Sequence, residues 1–249
     1  MAAIADPDSV YLRPTAILDA DHPRVAELAE QLRPAGDLDP RAVAIRMFHW
    51  VRDQIGYDPY RPFHRPDHYR SSRLISEGRG FCIPKAGLLC ALARAVGIPA
   101  RLGFATVRNH LATRPLLDHL GTDRFVFHGF TELFLAGRWV KATPTFNREL
   151  CHRHQVPPLD FNGLDDAVFH AYNMKNQRFM EYLEDHGSFA DIPVDRIVAA
   201  WEGAYGQERV RGWMADFDGG GEIAGRRFEG ETVVSAAAEP GFRERSGSQ

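Results

Sequence analysis

Cysteine is scarce in this chain: three in 249 residues, at positions 82, 90 and 151. Thiols so scattered do not make a disulfide framework. They fit a reducing compartment, and a cytoplasmic protein is expected. An excess of one charge is also missing, since the formal net charge is −3. That gives no case for nucleic acid or an anionic membrane as partner. No apolar run approaches the roughly 20 residues that a membrane-crossing helix needs. The opening Met1-Ala2-Ala3-Ile4-Ala5-Asp6-Pro7 has no basic stretch ahead of an apolar one, so no signal peptide is expected. Internal repeats are lacking as well. The remainder is ordinary globular composition, 44% hydrophobic and 25% charged, long enough to bury a substantial core.

Against that background one stretch stands out, Arg79-Gly80-Phe81-Cys82-Ile83-Pro84-Lys85-Ala86, followed by the apolar residues 87–96. Strong helix formers predict a helix over 82–96, with Pro84 tolerated in its first turn and Gly97 and Pro99 ending it. A helix apolar nearly all round belongs inside a protein. Cys82 therefore stands at the N-terminus of a buried helix, where free N–H groups and the positive dipole end favour thiolate. A lone cysteine is more often a small buried hydrophobe. Cys90, inside the helix, takes that reading, whereas the glycine-rich entry to Cys82 keeps a nucleophilic role open.

Taken in order, residues 1–22 read as an extended lead-in and 23–33 as a short helix. Asp39 and Pro40 cap a helix reaching about Ile55. Residues 57–72, with three prolines, read as an irregular loop carrying Tyr57, Tyr60, His64, His68 and Tyr69, either plain connection or part of a site. A strand is expected over 100–107, ending in the polar Arg108-Asn109-His110, a candidate substrate loop. Residues 114–123 connect it to a hairpin of 125–135 and 138–143 across Ala136-Gly137. Residues 168–172 and 178–183 read as two strands, the second with a helical alternative, and 193–205 as a helix. The expected division is 1–38 lead-in and helix, 39–147 catalytic core, 148–217 an extension packed on it, and 218–249 a loosely held tail.

The hairpin locates a second group. With a two-residue turn, Leu135 opposes Arg138, Phe130 opposes Thr143 and His128 opposes Thr145. Side chains alternate, so His128, Phe130, Glu132 and Phe134 share a face, with Thr143 diagonal to His128 at about 7–8 Å. A one-residue error in the turn would reverse that parity. Histidine has many structural roles. Yet a base beside a helix-start thiol, oriented by a third group, is how a nucleophile is activated.

Together, Gly78-Arg79-Gly80-Phe81-Cys82, the run from Ala91 through Gly97-Ile98-Pro99-Ala100-Arg101, His128-Gly129-Phe130-Thr131-Glu132-Leu133 and Gly137-Arg138-Trp139-Val140 resemble the transglutaminase-like superfamily over about residues 40–147. The resemblance implies an α+β fold with a papain-like core, its nucleophile helix packed on an antiparallel sheet. It implies thiol-dependent acyl transfer or hydrolysis at an amide, or amide formation from a thioester, without a cofactor. By position Cys82 matches the nucleophile and His128 the general base. Thr143 stands where the family carries Asp. A hydroxyl accepts from the imidazole and fixes its tautomer, but supplies no charge to stabilise imidazolium. Asn147 is the alternative orienter, since Cys-His-Asn also occurs. Phe130 stands where an aromatic, usually Trp, follows the histidine. Tyr57 is a candidate oxyanion donor, and with Arg108, Asn109, Phe130 and Asn147 it makes the candidate substrate-binding set. A non-catalytic binding protein retaining the fold is the competing reading, supported by Thr143. Cys151-His152-Arg153-His154 is spaced too tightly for a zinc site, and no metal is expected.

Overall fold

Asp39 opens a helix as its type predicts, its carboxylate accepting from the Arg41 N–H at 3.0 Å with Pro40 next in line. The structure is a computed structural model, and residues 9–33 and 39–235 are described. Helices α1 (Pro23–Gln31) and α2 (Pro40–Gln54) lead to a short strand β1 (Gly56–Tyr57). The proline-rich loop then contains an unforeseen helix, α3 (Ser71–Glu77), before β2 (Arg79–Gly80) and the central helix α4 (Cys82–Ala95). β1 and β2 pair in parallel, Gly56 with Arg79 and Tyr57 with Gly80, which fixes the chain immediately ahead of Cys82.

Next come β3 (Ala100–Asn109), β4 (Leu111–Thr113), α5 (Arg114–Leu120), β5 (Arg124–Leu135) and β6 (Arg138–Ala142). The segment read as a connection is α5, capped by Thr113, whose hydroxyl accepts from the Leu116 N–H. Then follow α6 (Arg148–His154), β7 (Met180–Phe189), α7 (Val194–Tyr205), α8 (Gln207–Gly219), α9 (Glu222–Gly225) and β8 (Val233–Ser235). The main sheet is antiparallel throughout, in the order β6-β5-β3-β7. α4 packs on β5 and β3, and the fold class is α+β, the helix that begins at Cys82 lying on an antiparallel sheet.

α4 is buried along nearly its whole length. Its one lysine, Lys85, is fully buried and donates to the carbonyls of Arg52 (3.0 Å) and Ile55 (2.5 Å). Those are carbonyls at the C-terminal end of α2, which need partners from outside the helix. Burial pushes the ammonium down to about 7. Lys85→Met should leave the two carbonyls unpaired and cost about 2–4 kcal/mol by chemical denaturation. A loss below about 0.5 kcal/mol would show that water satisfies them instead.

The C-terminal region departs from the expectation of a loose tail beginning at 218. Phe228 is buried, its ring against Tyr57 and Tyr60. Glu231 accepts from the Tyr60 hydroxyl at 2.8 Å and from Thr113, and β8 pairs with β4. A few aromatic and carboxylate anchors thus hold a segment whose Gly-rich composition hides them. Residues 236–249 of that expected tail lie outside the described residues. Among the described residues no helix is long and apolar enough to cross a membrane.

Candidate active site

Cys82 is the first residue of α4, after Phe81 in extended conformation. Gly129 of β5 lies against this helix start: a Cβ there would sit 3.1 Å from the Ile83 Cα and 3.2 Å from its Cγ1. The N–H groups of Gly129, Ile83 and Cys82 itself lie near enough to the Cys82 sulfur to favour its thiolate. Thr131 ties the same strand down by donating to the Ala86 carbonyl at 2.8 Å. The helix start and the histidine strand are therefore held together through backbone as well as side chains.

His128 precedes Gly129 and lines the same cavity as Cys82. Its direction depends on a feature the sequence did not announce. β3 and β5 pair Ala105 with His128 and next Val107 with Phe125, so Val126 and Phe127 together oppose Thr106. This is a β-bulge, which bends a strand and re-aims its side chains. Phe127 takes a left-handed φ of 57° there, a conformation costly for a bulky residue and characteristic of functional sites. Its ring stacks on His186 with centroids 4.4 Å apart.

The hairpin register is as expected, Leu135 opposite Arg138 through Thr131 opposite Ala142, but β6 ends there. Thr143 instead donates its N–H to the Ala167 carbonyl at 3.1 Å. The expected pairs of Phe130 with Thr143 and His128 with Thr145 thus fall outside the ladder. Thr143 and Thr145 are each 1% exposed, and their hydroxyls, like the His128 Nε2, make no hydrogen bond within the described protein. Thr145, not singled out from sequence as a site residue, shares the cavity with His128, and Thr143 is not among the cavity's lining residues. Opposition to His128 across the expected register is the sequence signal that marks it out.

Of the candidate substrate-binding residues, Tyr57 alone lines the cavity of Cys82. Arg108 pairs with Asp123 (3.5 Å) and Glu181 (3.7 Å), and the Asn109 side chain accepts from the Leu111 N–H. Phe130 packs over Gly103 and beneath Lys141. Asn147 precedes α6, and its side-chain Oδ1 accepts from the Tyr57 N–H at 3.4 Å, so it supports Tyr57 instead of His128. These four residues serve β-strand ends, turns and packing, which is why they do not converge on the thiol.

The electrostatics differ from the helix-dipole expectation. Burial pushes the Cys82 thiol up to about 11, against the lowering by the Gly129, Ile83 and Cys82 N–H groups. Burial alone pushes His128 down to about 3. At neutral pH the resting pair is therefore neutral thiol and neutral imidazole, because desolvation outweighs one helix terminus. The dipole end of a helix contributes about 0.3–1 kcal/mol, under one pKa unit, whereas full burial moves a group by several. Cys82 itself keeps intermediate exposure, while Cys90 and Cys151 are buried. Cys151 and its neighbouring histidines lie on α6.

A family description matches residues 26–144: the transglutaminase-like superfamily. No curated protein matches the chain. Among solved structures, a candidate cysteine protease from Cytophaga hutchinsonii is similar at 18% identity and TM-score 0.43, over 76% of this chain and 57% of that one. The periplasmic domain of TgpA from Pseudomonas aeruginosa is similar at 22% identity and TM-score 0.36, over 54% of this chain and 46% of its own. Red sea bream transglutaminase is similar at 14% identity and TM-score 0.37, over 57% of this chain and 32% of its own. The chain thus spans from 32% to 57% of these structures' own length.

Proposed function

Residues 26–144 belong to the transglutaminase-like superfamily, a group of thiol-dependent enzymes, and on that premise we propose that the chain transfers or hydrolyses an acyl group at a peptide or other amide bond, or a thioester, through Cys82 and His128. The observation that carries the reading is that both side chains line one cavity, at a helix start where the N–H groups of Gly129 and Ile83 favour thiolate.

The neutral resting pair sets the order of events. As Cys82 Sγ attacks the acyl carbonyl, its proton passes to the His128 imidazole. The oxyanion that forms accepts from the Cys82 N–H and from the Tyr57 hydroxyl, which stays protonated because burial and the thiol beside it hold its pKa well above the usual phenol value. The carbonyl reforms, the C–N or C–S bond breaks, and His128 returns its proton to the leaving amine or thiol. Water or an amine then attacks the thioester, its proton passing through His128 back to sulfur. Within the described protein the imidazole packs on the Phe169 ring, centroids 4.7 Å apart, and neither the Thr143 nor the Thr145 hydroxyl hydrogen-bonds it. A cytoplasmic location fits the unpaired thiols.

A second reading, a binding protein that keeps the fold, draws support from the raised thiol and the missing Asp. One experiment separates the two. The folded protein is incubated with a thioester library and the cysteines are mapped by mass spectrometry. An acyl adduct confined to Cys82, forming faster as pH rises from 7 towards about 10, is expected because the thiol titrates near 11. Cys82 reacting no faster than Cys90 or Cys151 would favour the binding protein.

A further inference from the structure

Resting on the reading of Cys82 as nucleophile, we infer that the acyl group it accepts is apolar and about the size of an aromatic ring, seated against a wall supplied by α7 and α8. The cavity at Cys82 is compact, offering about 70 Å³ to the centre of a water-sized molecule. Away from the thiol it is lined by Phe63, Trp201, Trp213 and Phe217. None of the described lining residues is Asp, Glu, Lys, Asn or Gln.

The charged or basic members of the lining are engaged elsewhere or neutral. Arg61 is paired with Glu77. The His119 ring stacks on Trp213 with centroids 4.3 Å apart, and burial pushes it down to about 4. A charged or carboxamide-bearing acyl group would lose its hydration there and find few partners. Polar capacity is concentrated at the other end, where the His128 Nε2 and the Thr145 hydroxyl are buried and unpaired within the described protein. Such a site fits a ligand with one polar head, the acyl carbonyl and its leaving group, and an apolar body.

The wall is built in advance. Trp201 Nε1 donates to the Val126 carbonyl at 2.8 Å, and the Tyr205 hydroxyl accepts from the Val126 N–H at 2.8 Å. α7 is thereby fastened to the bulge that precedes His128. Both helices lie beyond residues 26–144, so the wall belongs to the part of the chain outside the family match.

The test compares ligands by shape and charge. In the Cys82→Ala protein, phenylacetamide and succinamate are titrated by calorimetry. In the unsubstituted protein, the phenylacetyl and succinyl thioesters of N-acetylcysteamine are followed as adducts on Cys82. At least about tenfold preference for phenylacetyl in both is expected, in line with what apolar pockets discriminate. Phe217→Arg, at a partly exposed position where the cation can reach solvent, should narrow or reverse that preference. Equal or reversed binding in Cys82→Ala overturns the inference, as does an unchanged preference in Phe217→Arg. A binding preference that persists with no adduct on Cys82 removes the catalytic reading and leaves the pocket's ligand class standing.

Discussion

Cys82→Ala will abolish acyl transfer, by at least about 10³-fold, while the protein stays folded with its unfolding midpoint within about 3 °C. The loss is large because no other thiol can substitute: Cys90 is enclosed within α4 and Cys151 lies buried on α6. The structure tolerates the change because alanine is the best helix former, and Cys82 is the first residue of α4, not its cap. The N–H groups of Gly129 and Ile83 lose the sulfur near them, but they border a cavity that water can enter. Activity is measured as thiol release from a thioester, and folding by thermal melt. Retained turnover would exclude the mechanism. Lost turnover with a collapsed melt would show that the sulfur holds β5 to the helix start.

Much of this arrangement is legible in residue order because it is local. Ala136 and Gly137 both adopt positive φ, 50° and 83°, as a two-residue hairpin turn requires, so counting back from Leu135 gives the right pairing as far as Thr131. The start of α4 is equally local: Cys82 is followed by an unbroken apolar run. What could not be read depends on distant partners. Phe127 is an unexpected residue for a left-handed bulge, and only pairing with β3 imposes it. The pairing of β7 with β3 joins segments some 80 residues apart, and nothing in either sequence names the other. The state of the thiol depends on distant partners as well. The helix terminus is visible in the sequence, whereas the cavity wall that buries Cys82, with Tyr57, Phe127, Phe169 and Trp201, is assembled from four separate regions.

His128→Gln is expected to slow acyl transfer by about 10²–10⁴-fold, the usual contribution of a positioned general base, with little change in affinity for the acyl group. It should also make the protein less sensitive to acid, and the two effects come from one property of the imidazole. Burial holds its folded pKa near 3, below the unfolded value of about 6.5. From pH 6.5 down to about 3 the unfolded chain therefore binds a proton that the folded chain refuses. Stability present above pH 6.5 is lost as pH falls through that window, by at most about 1.4 kcal/mol per pH unit for this one group. Glutamine does not titrate, so denaturation curves of the variant between pH 6.5 and 4 should be flatter by up to that slope. His68 and His119, also pushed down to about 4, will keep some acid sensitivity in both proteins. A variant that loses activity but keeps the full acid slope would mean that the folded protein accommodates imidazolium at His128. That would relocate the site's resting charge, since a protonated imidazole beside Cys82 favours the thiolate that burial otherwise disfavours.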